Sequence, residues 1–240
     1  MKRSYHPWLV GAAVGVWLLS NPGNARADAK FEFGPRLGYA LPFGDATSAS
    51  GDELKHTFKG QVPIWLDAGA RIAERFFVGA YLDYNVAILS SQLSKVCDAI
   101  DASASAYGVS ASCSGHDVRF GGEFLFHLLP KGPVDPWVGA GIGYEWLAFS
   151  VTQETPSAAT TLSAGIHGFE FTNLQLGLDI PVGRDMAIGP FLAFTLAEFS
   201  RTTVDCSGDC TGVNLPGGAD ISQNALHEWL FLGARATFEL

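Results

Sequence analysis

Charged residues recur at alternate positions inside otherwise apolar runs. Glu32, Arg36, Asp67, Arg71, Asp83, Arg119, Glu123, Glu145, Asp179, Arg235 and Glu239 form this set. If the runs enclose one space, these side chains share it. Opposite charges there must pair, because an unpaired buried charge is very costly. Two chemistries follow. The pairs form a fixed polar plug, or they exchange partners along a narrow gated path for ions or small hydrophobic molecules. If the first and last runs adjoin, Glu32 or Arg36 meets Arg235 or Glu239 across the seam.

Cys97, Cys113, Cys206 and Cys210 all fall in polar segments between the runs. An even cysteine count in an exported chain points to disulfides, and four cysteines allow three connectivities. The simplest is Cys97–Cys113 with Cys206–Cys210. Zinc, with His116 as a further ligand, is the rival, and an oxidising compartment favours disulfides. His56, His116, His167 and His227 are the histidines available to a Ser/His/acid hydrolase. No His-x-Ser pair on a run sets a nucleophile beside its base, and a triad is defined by geometry rather than order. A polar rim role is expected for each. Asp205-Cys-Ser-Gly-Asp-Cys210 lacks the EF-hand spacing of a calcium loop. No catalytic residue, metal ligand or cofactor is expected.

Successive side chains of a strand point to opposite faces, and the runs obey that period. In Asp117–Leu128, Val118, Phe120, Phe124, Phe126 and Leu128 share one face; Asp117, Arg119, Glu123 and His127 share the other. Gln61–Ala73 sets Ile64, Leu66, Ala68, Ala70 and Ile72 against Asp67 and Arg71. The first run, Phe77–Leu89, Trp137–Ser150 and the last run repeat the pattern. Ala187–Phe199 has an apolar face and a bland opposite face. His167–Ile180 changes phase, which a bulge near Thr172–Asn173 would explain. Pro35 lies inside the first run, a mild cost to strand pairing.

Eight runs alternate with segments of unequal length. Long polar segments lie near Asp45–Gly60, Ser91–Gly115, Thr152–Ile166 and Arg201–Ala225; short ones lie near Glu74–Phe76, Leu129–Pro136 and Pro181–Met186. A soluble barrel puts its apolar face inside. Here the enclosed face is charged, and the other is nearly charge-free over the roughly nine to eleven residues a tilted strand needs in lipid. The expectation is an all-β, eight-stranded antiparallel transmembrane barrel with short periplasmic turns and long extracellular loops. Aromatics should gird both rims: Phe31, Phe33, Phe76, Phe77, Trp137 and Phe238 at one, Phe43, Tyr84, Trp146 and Trp229 at the other. Whether the Ala/Ser-rich stretch Asp98–Ser112 forms a helix is left open by its composition.

Residues 1–27 read as a signal peptide. Lys2 and Arg3 precede the apolar Leu9–Leu19, and Ala25-Arg26-Ala27 is a small-x-small cleavage site. The barrel domain would then be 28–240. Only 16% of residues are charged, against roughly 25% in soluble domains. A net charge of −9 without a basic patch excludes nucleic acid as a partner.

Phe33-Gly-Pro-Arg-Leu-Gly-Tyr39, Trp137-Val-Gly-Ala-Gly-Ile-Gly-Tyr144 and Phe231-Leu-Gly-Ala-Arg-Ala-Thr-Phe238 resemble the small outer-membrane barrel superfamily of OmpA, OmpX and OmpW types. The resemblance spans 28–240. It implies eight antiparallel strands, insertion through the final strand by the barrel-assembly machinery, and a Gram-negative outer membrane. The family's usual terminal aromatic is absent, since the chain ends Phe238-Glu239-Leu240. No peptidoglycan-binding domain is expected after the barrel. The function expected is a monomeric, non-enzymatic surface or structural barrel, in contact with outer-membrane lipids and with its loops available for an unknown ligand. A narrow porin-like conduit is the alternative, and a lipid hydrolase the remote one.

Overall fold

The computed structural model describes residues 29–48, 53–213, 215 and 217–240. The expected signal peptide lies outside the described residues. Eight long strands close into a ring: β1 (Ala29–Gly44), β2 (Phe58–Ile72), β3 (Phe76–Leu89), β4 (Ser110–His127), β5 (Asp135–Glu154), β6 (Ala159–Pro181), β7 (Met186–Gly208) and β9 (Leu226–Glu239). Each pairs antiparallel with its sequence neighbour, and β9 pairs with both β7 and β1. A two-residue strand, β8 (Ala219–Asp220), clips onto β7 at Arg201–Thr202. The fold is therefore an eight-stranded antiparallel transmembrane barrel.

The outward faces carry the apolar residues that period two assigns. Leu37, Ile64, Leu82, Ile142, Leu174 and Leu232 are each more than half exposed, which in water would be a standing liability and in lipid is burial. Among the described residues no helix is long and apolar enough to cross a membrane; the crossing is made by strands. At the short-turn end, Ala73 and Glu74 both take left-handed backbone (φ 52° and 61°), the tight primed turn whose twist suits a hairpin. The β1–β9 register skips Gly34 and Pro35, where proline has no N–H to donate.

The long-segment side is more regular than its polarity suggests. Thr152–Ile166 is mostly strand: β5 runs to Glu154 and β6 starts at Ala159. Threonine and serine pairs hold this hairpin above the apolar belt, Ser150 to Ser163 at 2.7 Å and Thr152 to Thr161 at 2.9 Å. Beyond the membrane neither face needs to be apolar, so the alternation that reveals a strand disappears while the ladder continues. Likewise β7 carries on through Arg201 to Gly208. The Ala/Ser-rich stretch Asp98–Ser112 is helical only up to Ser105, as the second half of α2 (Ser91–Ser105), and its last three residues belong to β4; the N-terminus of α2 is capped by Ser90 accepting from the Leu93 N–H at 3.2 Å. A single turn, α1 (Leu54–Thr57), precedes β2.

Three rim assignments are corrected. Phe77, Trp137 and Trp229 are turned into the lumen and essentially unexposed. Strand parity places them there: each shares its odd-numbered face with charged residues, and aromatic type is the weaker guide. Phe31, Phe76, Phe43, Tyr84 and Trp146 do face outward, while Phe33 and Phe238 stack on each other at 4.8 Å. The β6 bulge falls at Phe171–Thr172, one residue before the expected place. There Phe171 and Thr172 of β6 oppose Ile142 of β5 alone, and against β7 the extra residue is Phe171.

Candidate functional site

Inward-pointing residues of all eight strands fill the lumen in two connected networks. Toward the short-turn end, Arg36 donates to Asp67 (2.6 Å) and to Gln175 (2.7 Å), and Gln175 donates in turn to Glu123 (2.9 Å). The Arg36 guanidinium lies between the rings of Trp65, Trp137 and Phe191 at 4.6–5.4 Å, a placement that favours a cation. Arg71 pairs with Glu32 at 2.5 Å, and Arg235 with Glu32 at 3.0 Å, Asp67 at 3.3 Å and Asp179 at 3.5 Å. His127 Nδ1 meets Asp135 at 2.8 Å, and Trp137 donates to Asp179 at 3.1 Å. Glu239 sits at the mouth, bonded to Lys30 at 2.7 Å.

Toward the long-loop end, Arg119 is the hub. It donates to Asp117 (2.8 Å), Glu145 (2.9 Å) and Thr195 (3.1 Å). Glu145 also takes His227 Nε2 at 2.8 Å and Trp229 Nε1 at 3.1 Å. Tyr81 donates to Glu170 at 2.6 Å. Its ring reaches that far because the floor beneath it is glycine: a Cβ on Gly121 would lie 2.7 Å from the ring. Asp83 accepts from Asn85 at 2.8 Å.

All eleven charged residues singled out from the sequence thus face the lumen or its mouth. The seam pairing is Glu32 with Arg235, a diagonal contact; the facing partners in register are Glu32↔Glu239 and Arg36↔Arg235. Five further ionisable groups belong to the same networks: Asp117, His127, Asp135, Glu170 and His227. Asp117 and His127 lie on the polar face already recognised in β4. Parity would have added Asp135 and His227. Glu170 is hidden by the bulge, since counting alternate residues back from Asn173 puts it outside.

Neither lumen histidine carries a nucleophile. His227 Nδ1 and His127 Nε2 have no hydrogen-bond partner among the described residues, and the partners of their other nitrogens are carboxylates. His116 stacks on Tyr84, and His167 lies tilted against Trp146 with its Nδ1 hydrogen-bonded to the Tyr144 hydroxyl. The cysteines pair locally, Cys97–Cys113 and Cys206–Cys210. Asp209, in the acidic Asp205–Cys210 loop, accepts from the Thr211 N–H (3.2 Å) and hydroxyl (2.8 Å). That is a local turn.

The ring is closed, its exterior apolar, its interior charged and its two ends unequal. That is the architecture of an eight-stranded transmembrane barrel. No family model and no curated protein matches the chain. Solved structures of similar fold include Neisserial surface protein A, at 11% identity over 86% of this chain and 97% of that one, TM-score 0.44. A major outer membrane protein from Thermus thermophilus aligns at 13% identity over 89% and 100%, TM-score 0.43. OprG from Pseudomonas aeruginosa aligns at 9% identity over 86% and 95%, TM-score 0.42.

The bridge Cys97–Cys113 ties α2 to β4, assisted by Asp101 accepting from the Ala111 N–H at 2.7 Å. A Cys97→Ser/Cys113→Ser variant is expected to retain the barrel's heat-modifiable gel shift. Protease should cut near 91–109 at least tenfold faster, because closing a loop of about this size is worth ~3 kcal/mol. Loss of the gel shift would show that the bridge supports the barrel itself.

Proposed function

We propose that this chain is a closed, non-enzymatic outer-membrane barrel whose function lies in its surface crown of extended strands, helix α2 and disulfide-stapled loops. One observation carries this reading: side chains from distant walls bond to one another across the lumen. Arg36 of β1 reaches Gln175 of β6, Tyr81 of β3 reaches Glu170 of β6, and Trp229 of β9 reaches Glu145 of β5. Eight-stranded barrels are just wide enough for side chains to fill, and here aromatic rings occupy the space between the ion pairs. Such a lumen suits a plug better than a conduit. The proposed chain is exported with cleavage after Ala27, inserted by the assembly machinery, monomeric, and surrounded by outer-membrane lipid.

The crown offers chemistry for binding. Tyr107 stands almost fully exposed beyond α2, and a shallow groove of about 650 Å³ runs between α2 and β5, lined by Val96, Ala99, Ile100, Ala104 and Gln153. Planar-bilayer recording separates plug from conduit. Purified protein is expected to leave the bilayer closed over many insertions, whereas Arg36→Ala/Gln175→Ala should conduct. Discrete wild-type steps would replace this reading with the conduit. Turnover of labelled lipid A or phospholipid by the same preparation would replace it with a hydrolase.

A further inference from the structure

The upper lumen carries more negative charge than its own cations neutralise. Asp83, Asp117, Glu145 and Glu170 are unexposed, and they share their space with one guanidinium, Arg119, and one imidazole, His227. Glu145 is saturated by Arg119, His227 and Trp229. Asp83 has no cationic side chain within salt-bridge distance among the described residues; its one bond is from Asn85. Even with His227 protonated, four carboxylates face two positive charges. Buried charge in this state is neutralised or it does not persist.

Three of the lumen's unmatched oxygens belong to neighbouring residues of β3 and β4. Asp83 and Asn85 are alternate inward residues of β3, and the register sets Asp83 against Arg119 and Asn85 against Asp117. Directly opposite side chains such as Asn85 and Asp117 start about 5 Å apart, and diagonal ones such as Asp83 and Asp117 about 7–8 Å, within reach of their carboxylates. Asn85 Nδ2 is used, donating to Asp83 Oδ2 at 2.8 Å, and Asp117 Oδ2 is used by Arg119 Nε at 2.8 Å. The remaining oxygens, Asp83 Oδ1, Asn85 Oδ1 and Asp117 Oδ1, are buried without a hydrogen-bond partner. Two are carboxylate oxygens and the third is an amide oxygen, so this corner is distinct from a cluster of three His, Cys, Asp or Glu ligands, of which the described residues show none. The next inward rung, Ala87↔Gly115, is roofed by Phe58, whose ring lies 2.9 Å from where a Gly115 Cβ would be.

We infer that Asp83, Asn85 and Asp117 form a buried site for a hard divalent cation, Ca²⁺ by preference. Oxygen donors of this kind suit Ca²⁺, which accepts irregular sets of six to eight ligands, whereas Mg²⁺ demands near-octahedral order. With His227 protonated, one divalent cation balances the residual count, where protonation would need two of the four carboxyls. The site is independent of what the crown binds.

The test uses the folded barrel in detergent micelles. After exhaustive dialysis against EDTA and repletion with CaCl₂, metal analysis should find about one Ca²⁺ per chain. The unfolding temperature should rise by about 5–10 °C at calcium 100-fold above Kd, with NaCl at matched ionic strength giving no such rise. Asp83→Asn/Asp117→Asn should fold, bind no calcium and show no calcium-dependent rise. Equal unfolding temperatures in CaCl₂ and EDTA with no bound metal would overturn the site in favour of protonated carboxyls. So would an unchanged rise in the double variant. If that variant does not fold, the wild-type metal content decides alone.

Discussion

Arg235→Glu is expected to abolish the heat-modifiable folded form, and adding Glu32→Arg should restore part of it. Arg235 is unexposed and contacts three carboxylates, Glu32 at 3.0 Å, Asp67 at 3.3 Å and Asp179 at 3.5 Å, with its guanidinium 5.0 Å from the Trp137 ring. Removing one partner of a buried pair costs about 3–5 kcal/mol, and reversal adds repulsion from all three acids. Glu32 sits on β1 and Arg235 on β9, the strands that close the ring, so the damage falls on the closing step. The rescue is incomplete for a physical reason: an arginine at 32 would stand beside Arg71, which now bonds Glu32 at 2.5 Å. Glu239→Arg should rescue nothing. Although Glu239 is opposite Glu32 in register, its side chain lies at the mouth between Lys30 (2.7 Å) and Arg71 (3.7 Å), away from Arg235. Gel migration of unboiled samples and urea midpoints measure these outcomes. Normal folding of Arg235→Glu, or equal rescue by Glu239→Arg, would sink the seam argument.

Period two made most of this lumen legible in the sequence. It put Asp67 and Arg71 on one face of β2 and Arg119 and Glu123 on one face of β4, because a membrane strand tolerates charge on one side only. Type-based reasoning did worse than parity: Trp137 and Trp229 were assigned to interfacial girdles, yet their indole N–H groups serve Asp179 and Glu145 inside. Glu170 was illegible because Phe171 shifts the count by one, and such a bulge is a property of three paired strands rather than of one. Above the apolar belt the period fails altogether, so the β5–β6 hairpin resembles a loop until its threonine pairs are seen. Which acid meets which arginine also lay beyond the sequence. Glu32↔Glu239, Arg36↔Arg235 and Asp135↔Asp179 face each other with like charge, so their bonds run diagonally or across the lumen, whereas Arg119 bonds its facing Glu145.

Arg119→Met is expected to be the most destabilising single uncharged replacement in the lumen. Its neighbourhood differs from that of Arg235 in one respect. Arg36, Arg71 and Arg235 lie among shared acids, Glu32, Asp67, Asp179 and Glu123, so removal of one leaves two. Among the described residues Arg119 is the one arginine beside Asp117, Glu145 and Glu170, with His227 reaching Glu145 only. Methionine preserves bulk against Trp229 and Phe231, whose rings lie 5.1 and 4.9 Å from the guanidinium, so the loss reports charge and hydrogen bonding rather than a cavity. A cost of about 3–5 kcal/mol follows from stranding buried carboxylates, compared with roughly 1 kcal/mol for Thr195→Val, which removes one neutral acceptor. Arg119→Lys should recover less than half. One ammonium cannot serve the three directions taken by Nε, Nη1 and Nη2, and lysine lacks the planar fork that fits them. Urea midpoints in micelles rank the four proteins; a midpoint for Arg119→Met no lower than that for Thr195→Val would refute the hub. The same variant also probes the cation site. With Arg119 gone the chamber is more acidic by one charge, so calcium should raise its midpoint further than it raises the wild type's, and Asp117→Asn in that background should cancel the gain.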